Sequence, residues 1–89
     1  MLSKEDFRLK LNGLLHANPK TVRVMRGATD IHSLNIDNVM EGGRQEFPNG
    51  DPGLFTHIAA CLRTGKEVAI SAAGPDKLLV FAAVGLFRK

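Results

Sequence analysis

Eighty-nine residues with twelve Lys and Arg against nine Asp and Glu make a short, basic chain of formal charge +3. Apolar residues at 44% and charged residues at 24% are the balance of a globular domain, which excludes general disorder, collagen and coiled coil. The longest apolar run, Leu78 to Phe87, falls far short of the ~20 residues of a membrane helix, so no membrane partner is expected. A second domain would leave both without a proper core, so residues 1–89 are expected to form one.

The single cysteine, Cys61, excludes an intramolecular disulfide. Small secreted domains usually lean on several, and Met1 to Phe7 lacks the apolar stretch of a signal peptide. A cytoplasmic location is therefore expected. From Met1 to Lys89 the chain reads as a complete small gene product.

The first helix is predicted from Ser3, an N-cap residue with Asp6 three positions on. Leu2 and Phe7 take the positions of a hydrophobic staple, and Phe7, Leu11, Leu14 and Leu15 form one apolar stripe. Asn18-Pro19 ends the helix, because the residue before proline leaves the α region. Lys20 to Arg26 reads as a strand, with Val22 and Val24 on one side and Thr21, Arg23 and Met25 on the other. Residues 27–30 are a turn.

Ile31 to Met40 fits two periods. Leu34 and Ile36 alternate as in a strand, while Ile36, Val39 and Met40 have helical spacing. Asn35, Asp37 and Asn38 disfavour a helix interior, so a strand is expected. Gly42-Gly43 is a tight turn, and Arg44 to Phe47 a short edge strand.

Asp51 caps a second helix with Pro52 at its first position. Its buried face is Leu54, Phe55, Ile58, Cys61 and Leu62, and Gly65 closes it. Lys66 to Ala72 is the next strand, and residues 74–77 are a turn. Leu78 to Phe87 is the last strand, apolar on both faces, so it is expected to be central or sealed by a partner. The two halves share a pattern of helix, Lys-led strand, turn and apolar strand, with Lys20-Thr-Val-Arg-Val matching Lys66-Glu-Val-Ala-Ile. The predicted architecture is α+β, order α-β-β-(β)-α-β-β, with two helices on one face of a mainly antiparallel sheet of four or five strands.

Candidate chemistry is sparse. His57 and Cys61 lie four residues apart on helix two, where a thiolate–imidazole pair or two metal ligands would stand. Cys61 also belongs to the apolar stripe, which makes it an ordinary core residue. A structural zinc site needs four ligands, and nothing in the sequence brings His16 or His32 to this pair, so no metal or cofactor is expected. His32 with Asp30, or Asp37 with Glu41, has no third orienting group. The glycines match neither phosphate-binding fingerprint, and Asp51 already occupies the second helix's N-terminus.

Lys20, Arg23, Arg26, Arg88 and Lys89 are the candidate nucleic-acid contacts. Leu78, Val80, Ala82, Val84 and Leu86 share one face of the last predicted strand and are the expected dimer interface. The sequence thus favours a non-catalytic interaction module, homodimeric, that inhibits or adapts a larger complex by binding another protein. The alternatives are a nucleic-acid-binding protein and, further off, a small metal-independent ribonuclease using His32 or His57.

Overall fold

The computed structural model describes residues 1–25, 37, 39–40 and 43–87. Ser3 starts helix α1 (Lys4–Ala17), where its hydroxyl accepts the Asp6 N–H at 3.2 Å. Asn18 stops it by donating both its backbone N–H and its side-chain amide to the Leu14 carbonyl. Strand β1 (Val22–Met25) follows, starting two residues later than the sequence suggests, and Arg26 lies outside the described residues.

Strand β2 is Arg44–Pro48. Helix α2 (Gly53–Arg63) begins just past Asp51, whose carboxylate accepts the Gly53 N–H at 2.9 Å. At its far end Lys66 N–H reaches the Cys61 carbonyl and Gly65 N–H the Leu62 carbonyl. Gly65 takes φ +78°, the left-handed turn this double bond requires. Strands β3 (Glu67–Ala72) and β4 (Lys77–Ala83) complete the sheet.

The strand order is β1-β3-β4-β2. β3 pairs antiparallel with β4, and β4 with β2, but β1 and β3 run parallel. The sheet is thus mainly antiparallel, as expected, and one parallel pair makes it mixed. The reason is local: β1 and β3 each leave a helix by a short connection and so enter the sheet in the same direction.

Both helices cover one face. Phe7, Leu54, Phe55, Ile58 and Cys61 pack with Val22, Phe47, Val68, Ile70, Val80 and Ala82, and Leu2, Leu11, Leu14, Leu15 and Leu62 close the edges. Phe7 and Phe55 bring the helices together with ring centroids 5.2 Å apart.

The second face holds Ala69, Phe81 and Ala83, packed with Val39 and Leu86 and edged by Met25, Leu79 and Phe87. Two sequence expectations change here. The last strand stops at Ala83 instead of Phe87, because the chain turns through Gly85 and carries Leu86 into this second cluster. The apolar run therefore supplies both a central strand and part of its own cover.

Asp37, Val39 and Met40 have helical backbone, where a strand was expected from 31–40. Val39 is fully buried against the second face while Asp37 and Met40 are exposed. Burying one such side chain is worth about 1.5–3 kcal/mol, which outweighs the few tenths that Asn and Asp each cost a helix. The rest of that stretch, and the turn at 27–30, lie outside the described residues.

Candidate functional site

The helix layer does not cover its whole face of the sheet. By register Val24 shares that face with Ile70 and Val80, which are buried, yet Val24 is 55% exposed. Ala72, beside the β3–β4 turn, is also exposed. At this end a groove of about 740 Å³ opens between α1 and the turn.

Its floor is apolar: Phe7 and Leu11 from α1, and Leu78 from β4. Lys4, Glu5 and Arg8 form the helix rim, and Asn49, Pro75 and Asp76 the opposite one. Glu5 and Arg8 stand 3.9 Å apart and are both well exposed, so the pair holds neither charge firmly.

One short loop ties the two rims together. Asn49 donates its backbone N–H to the Asp76 carbonyl at 2.9 Å and its side-chain amide to the Pro75 carbonyl at 3.2 Å. The next residue, Gly50, accepts the Leu2 N–H at 2.7 Å, which anchors the start of α1. Gly50 has φ +87°, and a Cβ there would lie 2.9 Å from the Leu2 oxygen, so only glycine fits this close approach. This loop thus links the β3–β4 turn to the start of α1.

Sequence reasoning missed the groove. Its residues come from four separate segments, and no periodic pattern links Asn49 or Pro75 to Lys4. The one local sign was Lys4 and Arg8, spaced to share a flank of α1 beside its apolar stripe.

The five expected interface residues do not share a surface. Val80 and Ala82 are buried beneath the helices and Leu78 is half-buried with them. Leu86 is buried on the other face, and Val84 alone is exposed, at 66%. Of the expected nucleic-acid contacts, Lys20 and Arg23 are exposed around β1, and the Arg23 guanidinium lies 4.2 Å over the Phe87 ring. Arg26, Arg88 and Lys89 lie outside the described residues.

His57 and Cys61 do meet, with Nε2 and Sγ 3.7 Å apart. The His57 ring also packs 5.4 Å from that of Phe47. Burial, and after it the Lys66 ammonium, hold the His57 imidazole below its ordinary pKa of 6.5. Cys61 is buried in the core, which closes its sulfur to a reactant. Among the described residues, no group of three or more His, Cys, Asp or Glu stands together to hold a metal ion. His16 is exposed at the end of α1, whereas Asp30, His32 and Glu41 lie outside the described residues.

No helix among the described residues is long and apolar enough to cross a membrane. No family model matches this chain, and no curated protein or solved structure matches it.

Proposed function

We propose that the protein is a non-catalytic interaction module that binds a short amphipathic segment of another protein in the groove between α1 and the β3–β4 turn. The observation that carries this reading is the partial coverage of the helix-bearing face. It leaves an apolar floor at Phe7, Leu11 and Leu78 between rims that one loop links. A preformed apolar cleft with a few placed charges is the usual form of a recognition site.

The rim sets the chemistry of the occupant. Apolar side chains lie on the floor, an acidic group meets Lys4 and Arg8, and a basic group meets Asp76. Because the walls are already fixed, little ordering cost falls on this chain when it binds. Such a module acts by occupying or joining a partner, as an inhibitor or adaptor does.

Selection of displayed random peptides of twelve residues against the whole protein tests this. Selected peptides carry an apolar anchor beside an acidic residue, and nuclear magnetic resonance shifts map them to Lys4, Arg8, Leu11 and Asp76. Changing Lys4 and Arg8 together to Glu touches only exposed side chains and weakens these peptides about tenfold, the effect of one or two lost charge contacts. Peptides that map elsewhere, or that ignore the charge reversal, overturn the assignment. Light scattering across a concentration series identifies the remaining occupant, a second copy of the chain, by a doubled mass that the same reversal abolishes.

A further inference from the structure

Strand β2 is an edge of the sheet: β4 pairs with one side of it, and among the described residues no element pairs with the other. Arg44, Gln45, Glu46 and Pro48 are all exposed. The phase of the ladder fixes which main-chain groups face outward. Gly43, just before β2, accepts the Ala82 N–H at 3.2 Å, and Asn49, just after it, donates to the Asp76 carbonyl at 2.9 Å. Residues of an antiparallel strand alternate between bonding to the neighbour and turning away from it. Gln45 and Phe47 therefore bond to β4, while Arg44, Glu46 and Pro48 turn their main-chain groups to the open side.

The two charged side chains of this strand sit at those outward positions. Arg44 lies opposite Phe81 and Glu46 opposite Leu79, so both stand on the second face. The Glu46 carboxylate is 4.0 Å from the Lys77 ammonium, and both are well exposed, so the pair holds it loosely. The Arg44 guanidinium reaches the Met40 sulfur with one N–H and keeps the others. An edge that carries one sign of charge repels a second copy of itself. A plus and a minus two positions apart match their own reversed copy.

The chemistry selects one register for that copy. A two-fold axis at Arg44 sets Arg44 against the partner's Arg44. An axis at Glu46 sets Glu46 against the partner's Glu46 and asks Pro48 for an N–H it lacks. An axis at Gln45 sets Arg44 against the partner's Glu46 on both sides of the axis. There both residues exchange their main-chain bonds and their side chains are of opposite charge. Pro48 ends the template one position further on.

We infer that β2 is the interface for a second copy of this chain, added antiparallel about Gln45 so that the two sheets become one. The pairing uses up the edge, so it closes at the dimer. The axis stands perpendicular to the sheet, and both helix layers lie on the same side. Where the groove binds as proposed above, the dimer offers two of them on one face, and a partner with two matching segments is held by both at once.

An interface this small belongs to the weak class, so sedimentation equilibrium of the whole protein from roughly 10 µM to 1 mM tests the inference. The mass rises from 9.7 kDa toward double and no further. In nuclear magnetic resonance spectra of the same series the amide protons of Arg44 and Glu46 shift, and those of Gln45 and Phe47, already bonded to β4, shift less. Arg44→Glu and Glu46→Arg change only exposed side chains, and each weakens the dimer about tenfold by setting like charges against each other. A mixture of the two variants recovers it, because opposite charges then meet on both sides of the axis. Both variant chains stay net positive, so general attraction does not explain the recovery. A mass that stays at 9.7 kDa, a mass that climbs past the dimer, native dimerisation by Arg44→Glu, or a mixture that does not recover overturns the interface. So does loss of the doubled mass on changing Lys4 and Arg8 together to Glu, which seats the second copy in the groove instead.

Discussion

Val22 lies directly opposite Val68 in the parallel pair of β1 and β3, and each valine follows a lysine by two residues, Lys20 and Lys66. The register continues through Arg23 opposite Ala69 and Val24 opposite Ile70. The same spacing holds the helix ends: Ala17 is as far before Lys20 as Arg63 is before Lys66. The weak similarity between the halves of the sequence is thus two helix–strand units laid side by side in matching register. That arrangement puts both helices over one face and leaves the β3–β4 turn to frame the groove.

Gly50→Ala tests whether the loop holds α1 in place. The new Cβ would lie 2.9 Å from the Leu2 oxygen, on a backbone of φ +87° that L side chains rarely adopt. The expected loss is about 1–3 kcal/mol, which lowers the midpoint of thermal unfolding by several degrees in a chain of this size. Gly13→Ala is the control. Gly13 lies inside α1 with nothing within 4 Å of its added Cβ, so the change stabilises by roughly 0.5–1 kcal/mol. Circular dichroism melts of both variants should move in opposite directions.

The elements that depend on near neighbours were legible in the sequence. Ser3 and Gly65 mark helix ends because capping is a contact within a few residues, and Asp51 marks the second helix one residue early, since Pro52 takes the N-cap and the Asp51 carboxylate meets the Gly53 N–H. The apolar stripes of both helices follow from period alone, and all of their named residues reach the core. Strand direction was not legible, since the pairing of Val22 with Val68 spans half the chain. Nor was the end of β4: Ala82, Ala83 and Gly85 satisfy a strand pattern, and only the packing of Leu86 on the second face makes the chain turn. The groove stayed hidden for the same reason, because the 49–50 loop links its two rims, Asn49 bonding to Pro75 and Asp76 and Gly50 to Leu2, through contacts that no side-chain periodicity records.

The turn after β4 makes Val84 and Leu86 unequal. Had the strand run on to Phe87, both would share the face of Val80 and Ala82. Instead Leu86 is fully buried and Val84 is 66% exposed. Leu86→Ala should cost about 2–5 kcal/mol, the range for a buried leucine, whereas Val84→Ala should stay within about 0.5 kcal/mol. Urea unfolding of the two variants reads the difference. Equal losses would mean that the strand continues and Leu86 packs elsewhere.

Ser3→Ala isolates the cap of α1, whose hydroxyl holds the Asp6 N–H at 3.2 Å on an exposed turn. The expected cost is about 0.5–2 kcal/mol. Ser3→Asp should recover most of it, because a carboxylate accepts the same N–H and favours the positive end of the helix dipole. If Ser3→Ala melts with the native chain, the cap bond contributes nothing to stability, and the Leu2–Gly50 bond with the packing of Phe7 anchors the start of the helix.

His57 should give the fold a pH dependence of definite sign. Burial and the nearby Lys66 lower its pKa in the folded chain from 6.5, so the unfolded chain takes up the proton first as pH falls. Its contribution to stability is complete above 6.5 and is lost as pH falls through the lower folded value. His57→Leu removes the titration, so stability of the variant relative to the native chain should rise on going from about pH 7.5 to pH 5, a window set by the ordinary histidine value. Lys66→Gln separates the two causes. It removes only the smaller one, so the His57 ring proton followed by nuclear magnetic resonance should titrate closer to 6.5 but still below it. A return all the way to 6.5 would mean that the ring is solvated and that its packing against Phe47 does not exclude water.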